Sequence, residues 1–121
     1  MAIVLFIDDD FLSLITLDKA CSLLGHQTLL AHSGQEALKI AAEKQPQLIV
    51  LDMRLPDMDG VEVVRVLRAQ DSTQKIPVVF LSAGVSPNDR ETVQAVGAQE
   101  YLLKPISLST LDSTIKKYTT A

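Results

Sequence analysis

A chain of 121 residues suits one domain, and 47% hydrophobic residues exclude a disordered segment. The net charge is −4 and the eleven basic residues are scattered, which argues against direct nucleic-acid binding. The longest apolar run, Met1–Ile7, is far short of the roughly 18 residues of a membrane span, and no cationic segment precedes it as in a signal peptide.

The first predicted strand is 3–7 (IVLFI), and it runs directly into Asp8, Asp9 and Asp10. Asp10 reads as the N-cap of a helix over 11–24, whose apolar stripe is Leu14, Leu17, Cys21 and Leu24. Cys21 is the single cysteine, so no intrachain disulfide forms, and its place on the stripe makes it a core thiol. Gly25 stands where a helix-ending glycine does. A short strand follows at 27–30 (QTLL), flanked by His26 and His32. Both histidines read as surface residues at turns away from the acids, neither metal ligand nor phosphohistidine.

Ser33-Gly-Gln-Glu36 is a capping box opening a helix over 34–44, with Ala37, Leu38 and Ala41 on one face. The third strand, 47–51 (QLIVL), is followed by Asp52, and a helix over 60–69 carries Val63, Val64 and Leu67. The fourth strand, 76–81 (IPVVFL), leads into Ser82. Ser86-Pro87 then gives a cap and first-turn proline for a helix over 87–96, whose stripe is only Val93 and Val96 and which Gly97 ends. The fifth strand, 99–102 (QEYL), is followed by Lys104-Pro105 and a helix over 108–118 with Leu108, Leu111, Ile115 and Tyr118.

Five βα units in succession imply an α/β fold with a parallel sheet and helices on both faces. Strands 1 and 3 are almost wholly apolar, as central strands buried on both sides are. Strands 2 and 5 are mixed and read as edges, so the expected order is 2-1-3-4-5. Ligands bind such sheets beyond the carboxyl ends of the strands. That end holds Asp8, Asp9, Asp10, Asp52, Ser82 and Lys104. Strands 1 and 3 are neighbours in this order, so Asp8, Asp9 and Asp52 should converge. Three carboxylates in one crevice repel unless a cation faces them, and oxygen ligands with water suit Mg²⁺. Carboxylates, a hard cation, a hydroxyl and an ammonium are the parts of phosphoryl transfer, and an aspartate can be the nucleophile. For single aspartates, helix capping or turn formation is the competing reading.

With LIVLDMRLPDMDG at 48–60, the acids after strand 1, Ser82 and YLLKP at 101–105, the sequence resembles a response-regulator receiver domain of two-component signalling. The resemblance covers essentially the whole chain. It implies the flavodoxin-like receiver fold as a single domain over 1–121, without an output domain in this chain, in the cytoplasm. It implies that Asp52 accepts a phosphoryl group from a phosphohistidine on a kinase or phosphotransfer protein. Asp8, Asp9, Asp52 and the backbone carbonyl of Arg54 would hold Mg²⁺, with Mn²⁺ as a substitute. Ser82 would bond the phosphoryl group and Lys104 would pair with it, with a cis bond to Pro105 turning the lysine back into the crevice. Tyr101 would change rotamer as Ser82 moves with the 82–88 loop, or else be a half-buried edge-strand aromatic. The output face would be helix 4, strand 5 and helix 5, meeting a partner, an output domain or, as a phosphorylation-linked homodimer, a second copy. Arg54 and Gly84 would flank the water that attacks in dephosphorylation, Arg54 being otherwise a solvated loop charge. The protein would be a switch and not a turnover enzyme, with no membrane partner.

Three other readings compete. Asp8-x-Asp10 resembles the nucleophile motif of haloacid-dehalogenase-like phosphatases, but Leu12 departs from it and Asp52 is left unexplained. A flavodoxin-like cofactor carrier would need a Ser/Thr/Gly phosphate loop where this chain has three aspartates. A receiver-shaped module that is never phosphorylated shares the fold and would not need the site residues.

Overall fold

The computed structural model describes residues 1–84 and 89–119, so the Ser86-Pro87 start and most of the 82–88 loop lie outside the described residues. Five strands alternate with five helices: β1 (Ile3–Ile7), α1 (Phe11–Leu23), β2 (Gln27–Ala31), α2 (Gly34–Lys44), β3 (Leu48–Asp52), α3 (Gly60–Ala69), β4 (Val78–Ser82), α4 (Asp89–Val96), β5 (Glu100–Leu103) and α5 (Leu108–Thr119). The sheet is parallel throughout with the order β2-β1-β3-β4-β5.

The period of two along each central strand sends its residues to two cores. Leu5 and Ile7, Ile49 and Leu51, and Val78 and Phe80 face α2, α3 and α4. Val4 and Phe6, Leu48 and Val50, and Val79 and Leu81 face α1 and α5, where Cys21 is buried as expected beside Leu14, Leu17, Leu111 and Ile115. Each fully buried side chain of this size contributes about 1.5–3 kcal/mol of transfer free energy. The central strands are therefore the rigid frame on which the strand-end residues sit.

Several boundaries differ from the sequence reading, each for a local reason. β4 starts at Val78, not residue 76, because the Ile76 amide closes a turn onto the Thr73 carbonyl (3.2 Å) and Pro77 has no N–H to give. β3 includes Asp52, which pairs with Leu81 of β4. β2 runs one residue further, to the buried Ala31. The capping box is offset: the Ser33 hydroxyl accepts from the Glu36 amide (3.2 Å), but the Glu36 carboxylate accepts from the amide of His32 (3.0 Å), not that of Ser33. Gly25 and Gly97 take φ of +86° and +88°, the left-handed conformation that ends a helix cheaply only at glycine.

The two histidines part company. His26 lies at the opposite end of β2 from the acids, where its Nδ1 accepts the Ala2 amide (3.0 Å). His32 follows the carboxyl end of β2, so it stands at the same end of the sheet as the aspartates and not away from them. There it is exposed, stacked on Phe11 (centroids 6.4 Å apart) and 3.3 Å from Glu36.

Candidate functional site

Strand ends deliver the acids. Asp8 leaves β1 with its amide on the Ala31 carbonyl (3.1 Å) and is only 1% exposed. Its Oδ1 accepts the Asp10 amide (2.9 Å) and its Oδ2 the Lys104 ammonium (2.6 Å). Asp10 turns away and caps α1, accepting from the Leu12 amide (3.1 Å) and the Ser13 hydroxyl (3.0 Å). Asp9 is exposed. Asp52 closes β3, its Oδ1 taking the Arg54 amide (3.1 Å) and its Oδ2 the Lys104 ammonium (3.2 Å). Carboxylate oxygens of Asp8, Asp9 and Asp52 lie within 4.8 Å of one another. Lys104 reaches them from just past β5, its amide on the Ser82 carbonyl (2.7 Å) and its bond to Pro105 cis.

The electrostatics are unbalanced: three carboxylates face one ammonium. Burial raises the Asp52 pKa above the usual carboxylate range, and the neighbouring Asp8 charge adds to this. The Arg54 amide and Lys104 offset it only in part. Burial alone would lower Lys104, but hydrogen bonds to Asp8 and Asp52 outweigh it and hold the ammonium above its ordinary value. The two directions are compatible. Lys104 is attracted by two carboxylates, whereas Asp52 receives the longer share of one ammonium.

The acidic cluster fits a hard divalent cation. Its donors are all oxygens, one carboxylate is buried and one exposed, and a 4.8 Å spread closes around bonds of about 2.1 Å by small side-chain rotations.

Around the acids, the Ser82 hydroxyl donates to the Gly84 carbonyl (2.7 Å), and among the described residues none beyond its chain neighbours lies within 4 Å of where a Gly84 side chain would start. Tyr101 pairs with Phe80 in the sheet and is half-buried against the α2/α3/α4 core. Arg54 is exposed, and its backbone forms an isolated β-bridge with that of Asp59 across the loop from β3 to α3.

Two residues of the quoted 48–60 stretch carry more than the sequence reading assigned. Gly60 lets α3 begin against the end of β3: a Cβ there would stand 2.9 Å from the Asp52 carbonyl and 2.8 Å from the Phe80 ring. Asp57, which the sequence reading passed over, binds two amides of α2. Its only signal was an acid five positions after Asp52, and nothing in the sequence shows that this loop folds against the start of α2.

The family model described as "Response regulator receiver domain" matches residues 4–116. The chain is 42% identical over 113 residues to the transcriptional regulatory protein PrrA of Mycobacterium tuberculosis, covering 93% of this chain and 48% of that protein. It thus spans about half the length of that relative. It is 33% identical over 115 residues to the polar-differentiation response regulator DivK of Brucella abortus, covering 95% of this chain and 94% of that one. Among solved structures, chemotaxis protein CheY4 of Vibrio cholerae superposes with a TM-score of 0.92 at 30% identity, over 98% of both chains. The receiver domain of the sensor histidine kinase PA1611 from Pseudomonas aeruginosa, which has a magnesium ion coordinated in its active-site cleft, superposes at 0.89 with 26% identity over 97% of this chain and 96% of that one. With its 2-1-3-4-5 sheet and its acids gathered at the strand ends, this chain belongs to the response-regulator receiver family.

Proposed function

We propose that the chain is the phosphoacceptor switch of a two-component phosphorelay, with Asp52 taking a phosphoryl group from a phosphohistidine on a kinase or phosphotransfer protein. One observation carries the reading: the oxygens of Asp8, Asp9 and Asp52 lie within 4.8 Å of one another, with Lys104 bonded to two of the three. Asp52 is the acceptor because it is half-buried and accessible, whereas Asp8 is 1% exposed and tied to Lys104 at 2.6 Å. That contrast also speaks against a phosphatase using Asp8.

Asp8 and Asp9, with Asp52 and the Arg54 carbonyl, would hold Mg²⁺ or Mn²⁺, which when bound would supply charge neutralisation at the transferring phosphoryl oxygens. An Asp52 carboxylate oxygen attacks phosphorus as the P–N bond breaks, and that bond's electron pair goes to the leaving imidazole nitrogen, which takes a proton from solvent. Lys104 then pairs with the phosphoryl oxygens. Ser82 leaves the Gly84 carbonyl to donate to them, drawing β4 with it. The added charge has a built-in response at β4, beside Tyr101 of β5. The face of α4, β5 and α5 is the output surface for a downstream protein, an output domain or a second copy. Return to the ground state is attack of water on phosphorus beside Arg54 and Gly84, releasing inorganic phosphate. The protein acts on itself alone, in the cytoplasm.

The test is intact mass after incubation with acetyl phosphate, with and without Mg²⁺, for wild type and Asp52→Ala. One phosphoryl adduct is expected that needs Mg²⁺, is absent in Asp52→Ala and is released by hydroxylamine. An adduct that survives in Asp52→Ala overturns the assignment of the acceptor. No adduct and no Mg²⁺ binding in wild type favours an interaction module that is never phosphorylated.

A further inference from the structure

The loop between β3 and α3 is secured at its base. Gly60 donates its amide to the Met53 carbonyl (2.8 Å), and the backbones of Arg54 and Asp59 form an isolated antiparallel β-bridge. Its tip is held by a different element. Asp57 Oδ1 accepts the Gly34 amide (2.8 Å) and Oδ2 the Gln35 amide (3.0 Å), the first two amides of α2. Those amides have no partner within the helix. Beside this clamp, the Met58 side chain fills the space a Cβ on Gly34 would need. Two independent contacts thus join the loop tip to the start of α2.

We infer that Asp57 is a positioning residue for the phosphorylation site: by gripping the start of α2, it fixes the loop that carries Arg54, whose amide holds Asp52 and whose carbonyl is the fourth ligand of the proposed metal site. This inference rests on the proposed metal site for its second half only. The amides of Gly34 and Gln35 also hold the Asp57 carboxyl below the usual range, as expected of an acceptor in its ionised form. Ser33 makes the comparison clean. It too caps α2, through the Glu36 amide, but touches nothing in the loop by hydrogen bond. Loss of either cap weakens α2; only loss of Asp57 frees the loop.

The experiment compares wild type, Asp57→Ala, Asp57→Asn and Ser33→Ala in full-length chains. Amide hydrogen exchange of residues 53–60 is measured without metal, and Mg²⁺ affinity by calorimetry. Asp57→Ala should speed exchange across 53–60 and weaken Mg²⁺ by about tenfold, the scale of losses when a supporting partner of a metal ligand is removed. Ser33→Ala should lower the melting temperature comparably, yet leave both readouts at wild-type values. Asp57→Asn keeps an acceptor without the charge and should recover part of both. If Asp57→Asn is as impaired in Mg²⁺ binding as Asp57→Ala, the effect is charge near the site and the positioning role is overturned. Equal exchange and affinity losses in Ser33→Ala overturn it as well, since they trace to α2 in general. If wild type binds no Mg²⁺, the metal site falls, while exchange across 53–60 still decides whether Asp57 fixes the loop.

Discussion

Asp52 is held in a state that favours its proton. In the native protein its pKa is above the ordinary 3.8, so between the two values the folded state binds more protons than the unfolded one. Stability from this group therefore falls as pH rises through that window. Asp52→Asn keeps an acceptor for the Arg54 amide and removes the buried charge. In the presence of a chelator, the variant should be more stable than wild type to urea at pH 7. The gap should narrow as pH falls through the raised Asp52 pKa and stay small in stronger acid. An equal gap at pH 7 and in acid would show that ionisation of Asp52 is not its source. Lys104 has the same sign of linkage in a much higher pH window. Its raised pKa stabilises the fold below its ordinary 10.5, and that contribution is lost as pH climbs through the higher native value. Lys104→Met leaves the buried Asp8 carboxylate without its 2.6 Å partner. It should cost about 2 kcal/mol in metal-free protein, less than the 3–5 kcal/mol of a fully buried pair because Lys104 retains some contact with water. Urea unfolding at pH 7 with and without Mg²⁺ checks this: added ion should recover part of the loss by facing the same acids.

At the scale of elements, the site depends on how closely α3 starts behind β3. A Cβ on Gly60 would stand almost against the Asp52 carbonyl and the Phe80 ring. The neighbours are backbone and a buried aromatic, neither able to swing aside. Gly60→Ala should cost about 1–3 kcal/mol by overpacking and slow phosphorylation by displacing Asp52. Thermal unfolding and the acetyl phosphate mass assay read the two effects separately. A variant with wild-type stability and rate would show that β3 and α3 can part without loss. The opposite edge of the molecule is joined differently. The Arg68 guanidinium donates to the Gly97 carbonyl (3.1 Å), tying the end of α3 to the turn before β5, while α4 contributes one deeply buried side chain among its described residues, Val93. An element with so few buried contacts is the one that the proposed charge change at Asp52, relayed through Ser82, would move most easily. The Gly97–Arg68 tie fixes its far end.

For the whole molecule, two apolar cores share one sheet, so a displacement at the carboxyl end of β4 is felt on both faces: Phe80 belongs to one core and Leu81 to the other. A phosphoryl group can bias such a two-state element only by its differential affinity, about 1–3 kcal/mol in typical couplings, so some output activity without phosphate is expected. Ion binding to the native state alone should add about 2.7 kcal/mol of stability at 100-fold over its Kd. Melting with increasing Mg²⁺ should show this gain in wild type and little of it in Asp8→Asn, in which the buried ligand has lost its charge. Equal gains in both would place the ion elsewhere.

The sequence by itself determined the βα alternation, the sheet order and the strand ends that carry Asp8, Asp9, Asp52, Ser82 and Lys104. These follow from apolar runs too long to be loops and from which strands lack polar residues on either face. Cys21 and Asp10 were legible for the same reason, since helical spacing and an acid just before a helix are local signals. Tertiary structure alone decided the rest. Whether β4 includes Ile76 turned on a bond to Thr73. The joining of Asp57 to Gly34 and Gln35 spans more than twenty positions and leaves no periodic trace. Charge balance was likewise undecided by composition: whether Lys104 satisfies one aspartate or is divided between two depends on distances of 2.6 and 3.2 Å that only the closed sheet sets. Local patterns are written by neighbours along the chain, whereas the shared ammonium and the clamped loop are made by groups that meet only after folding.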